Sequence, residues 1–164
     1  MQSILPLNLV DLLLDAVCVV RPDSSIVYVS PAFERIFGYA PEEVIGKRML
    51  DMVHPEDQAA TQRQARSVTE GQLQLHFENR YVRKDGMIAH IRWTARWLPG
   101  HQVRVAVAHD ITERKFTESM HEVMYAVSEA AHTTQNLQAL FEHIHEIIGR
   151  LLPASNFTVA LCDA

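Results

Sequence analysis

The chain has little of what several large classes of protein depend on. Its two cysteines, Cys18 and Cys162, lie far apart in apolar stretches, a pattern that favours a reducing cytosol over a disulfide framework. No apolar run approaches the ~20 residues of a membrane-spanning helix, and the first residues lack the basic region of a secretion signal. These absences predict a cytoplasmic segment without membrane contact of its own, and they leave open whether the parent chain is tethered.

Basic charge and catalytic motifs are also missing. The formal net charge is −5, so the basic face of a nucleic-acid-binding module is not expected. The sequence has no glycine-rich phosphate loop, no Gly-x-Ser-x-Gly, and no nucleophile with a base at a recognisable spacing. No two of the nine histidines are four residues apart, which is the i, i+4 spacing of a helical metal site. We therefore expect neither a catalytic residue nor a metal site in this chain.

What the sequence does contain begins with short apolar runs separated by turn residues. Residues 16–20 and 26–29 are apolar and β-branched, so they predict two strands joined by the turn residues 21–25. Ser30, which precedes a proline, is predicted to cap a short helix, and Gly38 is predicted to end it. The chain therefore opens with a hairpin followed by a helix.

A second group of helices and a β-rich stretch follow. Residues 41–46 and 55–70 each begin with proline and acidic residues, which is typical of helix starts. Residues 73–82, 87–98 and 103–108 predict three strands, the first two joined by a tight Asp-Gly turn. Two strands, several short helices and three further strands predict an α+β domain, namely a five-stranded antiparallel sheet with short helices on one face.

This order of elements resembles the PAS sensor family over about residues 5–114. Six short segments carry the resemblance in the family's order, and their order and spacing are more specific than any one of them: residues 26–33, 37–39, 41–46, 54–57, 83–86 and 110–114. The chain departs from the family's pattern at Ser30, where asparagine is usual, and at the turn residues 24–25, where Asp-Gly is common. The resemblance implies the PAS fold and a sensory role.

The resemblance also implies a pocket between the short helices and the sheet. Haem, flavin, a small metabolite or side chains alone fill such pockets in the family. No cysteine lies near residues 48–52, where flavin photoreceptors have a reactive one, and no histidine lies on residues 55–70, where haem sensors have an axial ligand. A non-covalent flavin and a small metabolite stay open. Apolar and aromatic residues are assigned to the pocket: Tyr28, Phe33, Phe37, Met49, Met52, Val53, Phe77 and Trp93.

The chain changes character at Asp110, after the last predicted strand. By the resemblance, Asp110 and Thr112 are the pair that joins this strand to an outgoing helix. The helix, over residues 115–132, carries an apolar seam at alternating spacings of four and three residues, which comprises Phe116, Met120, Val123, Val127 and Ala130. Two interpretations stay open for this seam: it pairs with a second copy in a homodimer, or it covers the chain's own domain.

The last segment, residues 133–164, combines an apolar helical stripe with a short apolar strand and resembles the opening of a GAF domain. The sequence thus predicts a PAS domain at 1–114, a signalling linker helix at 115–132 and the start of a GAF-like domain at 133–164. We expect a module that passes a signal to an output domain, for which a bacterial histidine kinase is favoured. A cyclic-dinucleotide cyclase or phosphodiesterase, and a ligand-free dimerisation module, are the alternatives.

Overall fold

The computed structural model describes residues 9–133 and, in addition, Glu142 and His145. The chain divides into two compact units, Met1–Thr112 and Glu113–Ala164. The predicted GAF-like segment, residues 133–164, lies outside the described residues, apart from Thr133, Glu142 and His145. Within the described part of the chain, no helix has the length and apolar character needed to cross a membrane.

Five strands form one antiparallel sheet in the first unit. They are β1 (Ala16–Val20), β2 (Ile26–Val29), β3 (Gln74–Val82), β4 (Ile88–Leu98) and β5 (Val103–Asp110). Their order across the sheet is β2-β1-β5-β4-β3, so the first and last strands in sequence, β1 and β5, pair in the middle of the sheet. The predicted five-stranded antiparallel sheet is confirmed.

Short helices occupy the connection between β2 and β3. The predicted helix at residues 55–70 is a single 3₁₀ turn that continues into an α-helix. In chain order the helical elements are a 3₁₀ turn at Leu9–Leu12, α1 (Ala32–Phe37), α2 (Pro41–Val44), 3₁₀ turns at Met49–Met52 and Pro55–Asp57, α3 (Gln58–Thr69) and, after the sheet, α4 (Thr112–Thr133).

An aromatic cluster forms the centre of the core. Phe33 and Phe37 on α1 have ring centroids 4.4 Å apart, and Phe37 meets Tyr81 of β3 edge-on at 5.2 Å. Tyr81 and Trp93 of β4 are 5.6 Å apart. Such offset and edge-on pairs add stabilisation beyond the area that they bury. The cluster therefore fixes α1 against the β3–β4 hairpin.

The residue predicted to cap α1 has a different role. Ser30 is fully buried, and its Oγ accepts a hydrogen bond from the Val17 backbone N–H at 2.9 Å. The Ser30 N–H in turn donates to the Val17 carbonyl at 2.8 Å. The helix has no side-chain cap. The capping prediction was wrong because the pairing of β2 with β1 ends here. The Ser30 hydroxyl accepts the Val17 N–H of β1, which has no carbonyl partner on β2 at this point.

Gly38 ends α1 as predicted, and its position disfavours a side chain. Its φ is +80°, which L-residues with a side chain rarely adopt. A Cβ here would come within 3.2 Å of the Lys84 Cβ. The Lys84 N–H donates to the Phe37 carbonyl at 3.0 Å, and its Nζ lies 2.7 Å from Glu43 Oε1 on α2. The β3–β4 turn is thus held against the helices.

A β-bulge changes which way the start of β3 faces. Alternation predicts Leu73, Leu75 and Phe77 on one face of the strand. The register with β4 shifts between Gln74 and Phe77. As a result Leu73 and Leu75 are 60% and 50% exposed, whereas Phe77 packs against the core. The bulge places the inserted residues out of phase with the rest of the strand.

Candidate functional site

A cavity of about 90 Å³ lies between the sheet and α3. One water molecule needs a cavity of about 10–15 Å³, so this cavity has room for several atoms of a ligand. Its wall is mostly apolar and comes from four strands, α3 and the connecting segments: Cys18, Val20, Ser24, Met49, Leu50, Thr61, Gln64, Ala65, Val68, Gln74, Phe77, Tyr81, Trp93, Ala95, Arg104 and Ala106.

The structure divides the eight residues predicted for the pocket into three groups. Met49, Phe77 and Trp93 line the cavity. The other members that are buried or packed on the core do not reach the cavity, and these are Phe33, Phe37, Met52 and Val53. They belong to the hydrophobic core or pack against it.

Tyr28 belongs to neither group, and its predicted place in the pocket was wrong. It is 37% exposed and lines no part of the cavity. The buried residues of β2 are Ile26 and Val29, three positions apart, because the register with β1 shifts between Val19 and Val20. A strict two-residue alternation fails at such a bulge, so the tyrosine lies on the other side of the strand.

A chain of hydrogen bonds ties three elements of the wall together. The Trp93 Nε1–H donates to Asn79 Oδ1 at 2.9 Å, and Asn79 Nδ2 donates to Thr61 Oγ1 at 2.8 Å. Thr61 Oγ1 donates to the Asp57 carbonyl, also at 2.8 Å. Because the indole N–H and the buried amide are satisfied within the wall, the Trp93 ring is left as apolar surface.

The start of α3 is held to β3 by an arginine–carboxylate pair. Arg80 donates from Nη2 to Asp57 Oδ1 at 2.7 Å and from Nε to Asp57 Oδ2 at 3.0 Å. The Arg80 backbone N–H donates to the same carboxylate. These hydrogen bonds from Arg80 lower the pKa of Asp57 below its ordinary range. The helix that forms one wall of the cavity is therefore fixed by a bidentate charge-assisted contact.

Arg104 is the one charged side chain among the residues that line this cavity, and it is 5% exposed. It donates to the Ala65 carbonyl at 3.2 Å, to Thr69 Oγ1 at 3.0 Å and to Ser24 Oγ at 3.2 Å. A longer contact of 3.5 Å reaches the Pro22 carbonyl. All of these acceptors are neutral. Burial lowers the pKa of Arg104, but a guanidinium keeps its charge at neutral pH.

The remaining titratable groups of the wall are neutral at ordinary pH. Burial raises the pKa of the Cys18 thiol and of the Tyr81 phenol well above their usual values. The wall therefore presents mostly apolar surface, a few neutral polar side chains and a single positive charge, which Arg104 contributes.

A groove of about 430 Å³ adjoins the cavity and shares Arg104 with it. Two exposed arginines, Arg48 and Arg66, also line the groove, and its one acidic residue is Asp23. Asp23 Oδ1 accepts the Ser25 N–H at 2.9 Å, which lowers the pKa of that carboxyl. Three arginines against one aspartate make the mouth of the cavity electropositive.

A second polar site lies at the end of β5. The Asp110 carboxylate accepts from the Thr112 N–H at 2.9 Å and from Thr112 Oγ1 at 2.5 Å, both at Oδ1. Its other oxygen, Oδ2, accepts from Arg83 Nη2 at 2.7 Å. Thr112 Oγ1 also accepts the His90 N–H of β4 at 2.9 Å. The two residues predicted as the junction pair are brought together at the first residue of α4.

Two residues of these sites were missed in the sequence. Arg104 alternates in phase with the buried Ala106 and Ala108, and that pattern in an apolar strand could have marked it as an inward-facing charge. Arg83 lies before the Asp-Gly turn of the β3–β4 hairpin, and no signal in the sequence pairs it with Asp110. Among the described residues, no three His, Cys, Asp or Glu side chains cluster closely enough to hold a metal ion.

Comparison with protein families matches residues 26–109 to the PAS fold, which is just over half of the chain. The chain therefore belongs to the PAS family, and this segment is a PAS sensory domain. A comparison with curated protein sequences found no match.

Solved structures, PAS domains among them, are similar to this chain over about 60% of its length. A PAS domain from Colwellia psychrerythraea is 25% identical with a TM-score of 0.57, over 63% of this chain and 92% of that one. A domain of a sensory box sensor histidine kinase/response regulator from Geobacter sulfurreducens is 18% identical with a TM-score of 0.53, over 59% and 83%. The PAS domain of the Cronobacter turicensis quorum-sensing receptor RpfR, in complex with BDSF, is 16% identical with a TM-score of 0.53, over 60% and 94%.

Proposed function

We propose that this PAS domain binds a small ligand in the cavity beside α3 and passes the resulting change through the Asp110 junction to α4. The observation that carries the proposal is the course of β5. This strand contributes Arg104 and Ala106 to the cavity wall and Asp110 to the junction. A displacement of the strand at one site therefore acts on the other through continuous backbone.

The neighbouring strand supports the same connection. Trp93 of β4 lines the cavity, and His90, three residues earlier, donates its N–H to Thr112 and accepts from the Ile111 N–H at 2.9 Å. A ligand shifts such a system only through a difference in its affinity for two states of the domain. We infer that the two states differ in the packing of Met49, Phe77 and Trp93 and in the direction of the strand ends.

The proposal extends to the kind of parent protein that carries the output domain. We favour a bacterial histidine kinase as the parent, since the Geobacter sulfurreducens relative is a domain of a sensor histidine kinase/response regulator. A cyclic-dinucleotide cyclase or phosphodiesterase is the alternative parent. In this proposal the module is cytoplasmic, residues 115–132 are the linker and residues 133–164 begin a GAF-like domain.

A role in dimerisation is a second candidate, and the exposure of α4 side chains favours it. Phe116 is 59% exposed, whereas Val123, on the same predicted seam, is 7% exposed. Met124 and Tyr125 are 65% and 73% exposed. An amphipathic helix that exposes large apolar side chains is a suitable surface for a second copy of the chain. We propose a homodimer through α4, which is compatible with ligand sensing and would be the whole function if the cavity binds nothing.

Native mass spectrometry of the freshly purified chain tests the proposal, with an absorbance spectrum from the same sample. The result expected is an added small-molecule mass that is absent from an Ala106→Leu variant, whose larger side chain fills the cavity. An Ala126→Leu variant on α4 is the matched control and should keep the added mass. Bare polypeptide at twice the chain mass in every sample would contradict ligand sensing and favour the dimerisation module.

A further inference from the structure

We propose that the ligand of this cavity is an amphiphile with an apolar chain that ends in a single carboxylate, and that Arg104 binds the carboxylate. The inference rests on the proposed function, since it names the class of ligand for the same cavity. Its basis is the position of one buried cation in the wall of an apolar cavity, beside an electropositive groove.

Arg104 has no carboxylate among its hydrogen-bond partners. The exposed Asp23 carboxylate, which lines the same groove, attracts it without a hydrogen bond. The four hydrogen-bond acceptors of Arg104 are two backbone carbonyls and two hydroxyls. None of these contacts compensates the charge of a guanidinium that is 5% exposed. Buried charges in proteins are normally paired, so an arginine with neutral acceptors has much to gain from an anion.

Two partly buried arginines, Arg80 and Arg83, show what such a pairing looks like in this domain. Arg80 holds the Asp57 carboxylate, and Arg83 donates to Asp110 at 2.7 Å. Both are more exposed than Arg104, with side-chain exposures of 34% and 26%. The most deeply buried arginine of the three is thus the one without a carboxylate among its hydrogen-bond partners.

The remainder of the wall selects the rest of the ligand. Val20, Met49, Val68, Phe77 and Trp93 present apolar surface, and the indole N–H of Trp93 is already bonded within the wall. An alkyl or alkenyl chain gains from burial against such a surface without leaving a polar group unsatisfied. A sugar, with a polar group on nearly every carbon, would lose more hydration than the few polar side chains of the wall could replace.

The groove on the other side of Arg104 fits the entry of an anion. Arg48 and Arg66 are exposed on it, and Asp23 is its one acid. A carboxylate that approaches along the groove meets two solvated cations before it reaches the buried one. The planar guanidinium fork matches the geometry of a carboxylate, and one buried positive charge balances one negative charge.

Isothermal titration calorimetry with three ten-carbon probes tests the inference on the unaltered chain. Decanoate, decanol and decylammonium share the chain and differ in the charge of the head group. At pH 8 we expect decanoate to bind at least about tenfold more tightly than decanol, because hydrogen bonds to charged groups are worth more than those between neutral ones. We expect decylammonium to bind most weakly.

A pair of variants assigns the head group to Arg104. Arg104→Met keeps an unbranched apolar stem and removes the charged guanidinium, and it should bring the decanoate affinity down to that of decanol. Arg96→Met is the matched control, since Arg96 is an exposed arginine on the adjacent strand that lines no cavity. It should leave all three affinities unchanged. Circular dichroism melts verify that both variants are folded.

The outcomes separate this inference from the proposed function. Equal binding of decanoate and decanol would overturn the anionic head group and leave a ligand-binding cavity. A decanoate preference that survives in Arg104→Met would overturn the role of Arg104. If Arg104→Met does not fold, the comparison of the three probes on the unaltered chain decides alone. Absence of binding by all three probes, together with bare polypeptide in native mass spectrometry, would contradict both.

Discussion

Arg83 and Arg104 are two inward-facing arginines of one domain, and their surroundings differ in kind. Arg83 donates to the Asp110 carboxylate at 2.7 Å. Arg104 is more deeply buried, and the acceptors of its hydrogen bonds are neutral oxygens. The first contact joins the β3–β4 hairpin to the end of β5, where α4 begins. The second places a buried charge without a hydrogen-bonded carboxylate beside the cavity.

The difference separates connection from recognition. A carboxylate-paired arginine has its charge balanced in the folded protein and holds two elements in one arrangement. An arginine bonded only to neutral groups lowers its free energy further when an anion arrives, so it favours a bound state over a free one. Substitutions at the junction should therefore lower the stability of the fold, whereas substitutions at the cavity should lower the affinity for the ligand.

The largest loss of stability is expected from Asp110→Ala. The substitution removes three hydrogen bonds and leaves the partly buried Arg83 without its anion, at a cost of about 2–3 kcal/mol. Urea unfolding measures the change. Asp51→Ala, at an exposed aspartate of a 3₁₀ turn, is the control and should lie within about 0.5 kcal/mol of wild type. Equal effects of the two substitutions would contradict the structural role of the junction.

The next largest loss of stability is expected when the Arg80–Asp57 pair is broken, either by acid or by substitution. The folded-state pKa of Asp57 lies below the ordinary 3.8, so its contribution to stability is complete above that value and is lost as the pH falls through the lower folded pKa. At pH 7, Asp57→Asn should cost about 2 kcal/mol. Unfolding measured from pH 7 to pH 2 should show a shallower acid loss in the variant. An unchanged acid slope would mean that the pair does not hold α3.

Arg104→Met sharpens the comparison from the other side. The lost hydrogen bonds to neutral oxygens are offset by the removal of a buried charge, so stability should change by no more than about 1 kcal/mol. The loss in urea unfolding should be clearly smaller than for Asp110→Ala. A loss as large as at the junction would show that Arg104 serves the fold rather than a ligand.

The smallest effect is expected at the exposed Glu43–Lys84 pair. Its side chains are 37% and 51% exposed, so solvent and salt screen the attraction. Glu43→Gln should lower the melting temperature less than any variant above. The difference from wild type should disappear in about 1 M salt, where the Debye length is near 3 Å. A difference that persists in high salt would indicate a role beyond the ion pair.

The strands could be predicted from the sequence almost to the residue, and the reason is local. Apolar β-branched runs bounded by turn residues give β1 and β2 at the predicted positions, and β5 extends only two residues beyond its predicted end. The Asp-Gly pair marks the β3–β4 turn in the same way. These signals depend on neighbouring residues, so they survive without knowledge of the fold.

The cavity was harder to predict because it depends on register and on distant contacts. Two bulges turn Tyr28 and Leu75 away from where alternation places them. Ser30 was assigned to a helix cap and instead bonds to Val17 across the hairpin. Arg104 is interpretable only once α3 and the turn at Ser24 are known to surround it. Local alternation marks Arg104 as inward-facing, but its partners, like the bulges and the Ser30 contact, depend on register and on distant elements.

Hydrogen exchange with and without saturating decanoate tests most directly whether the cavity and the junction act together. The account predicts that decanoate changes the exchange of the amides in residues 110–118 of the wild-type chain. In Asp110→Ala, decanoate should bind with the wild-type affinity and leave those amides unchanged. If decanoate binds the wild-type chain and the exchange of residues 110–118 stays the same, the cavity does not signal through Asp110.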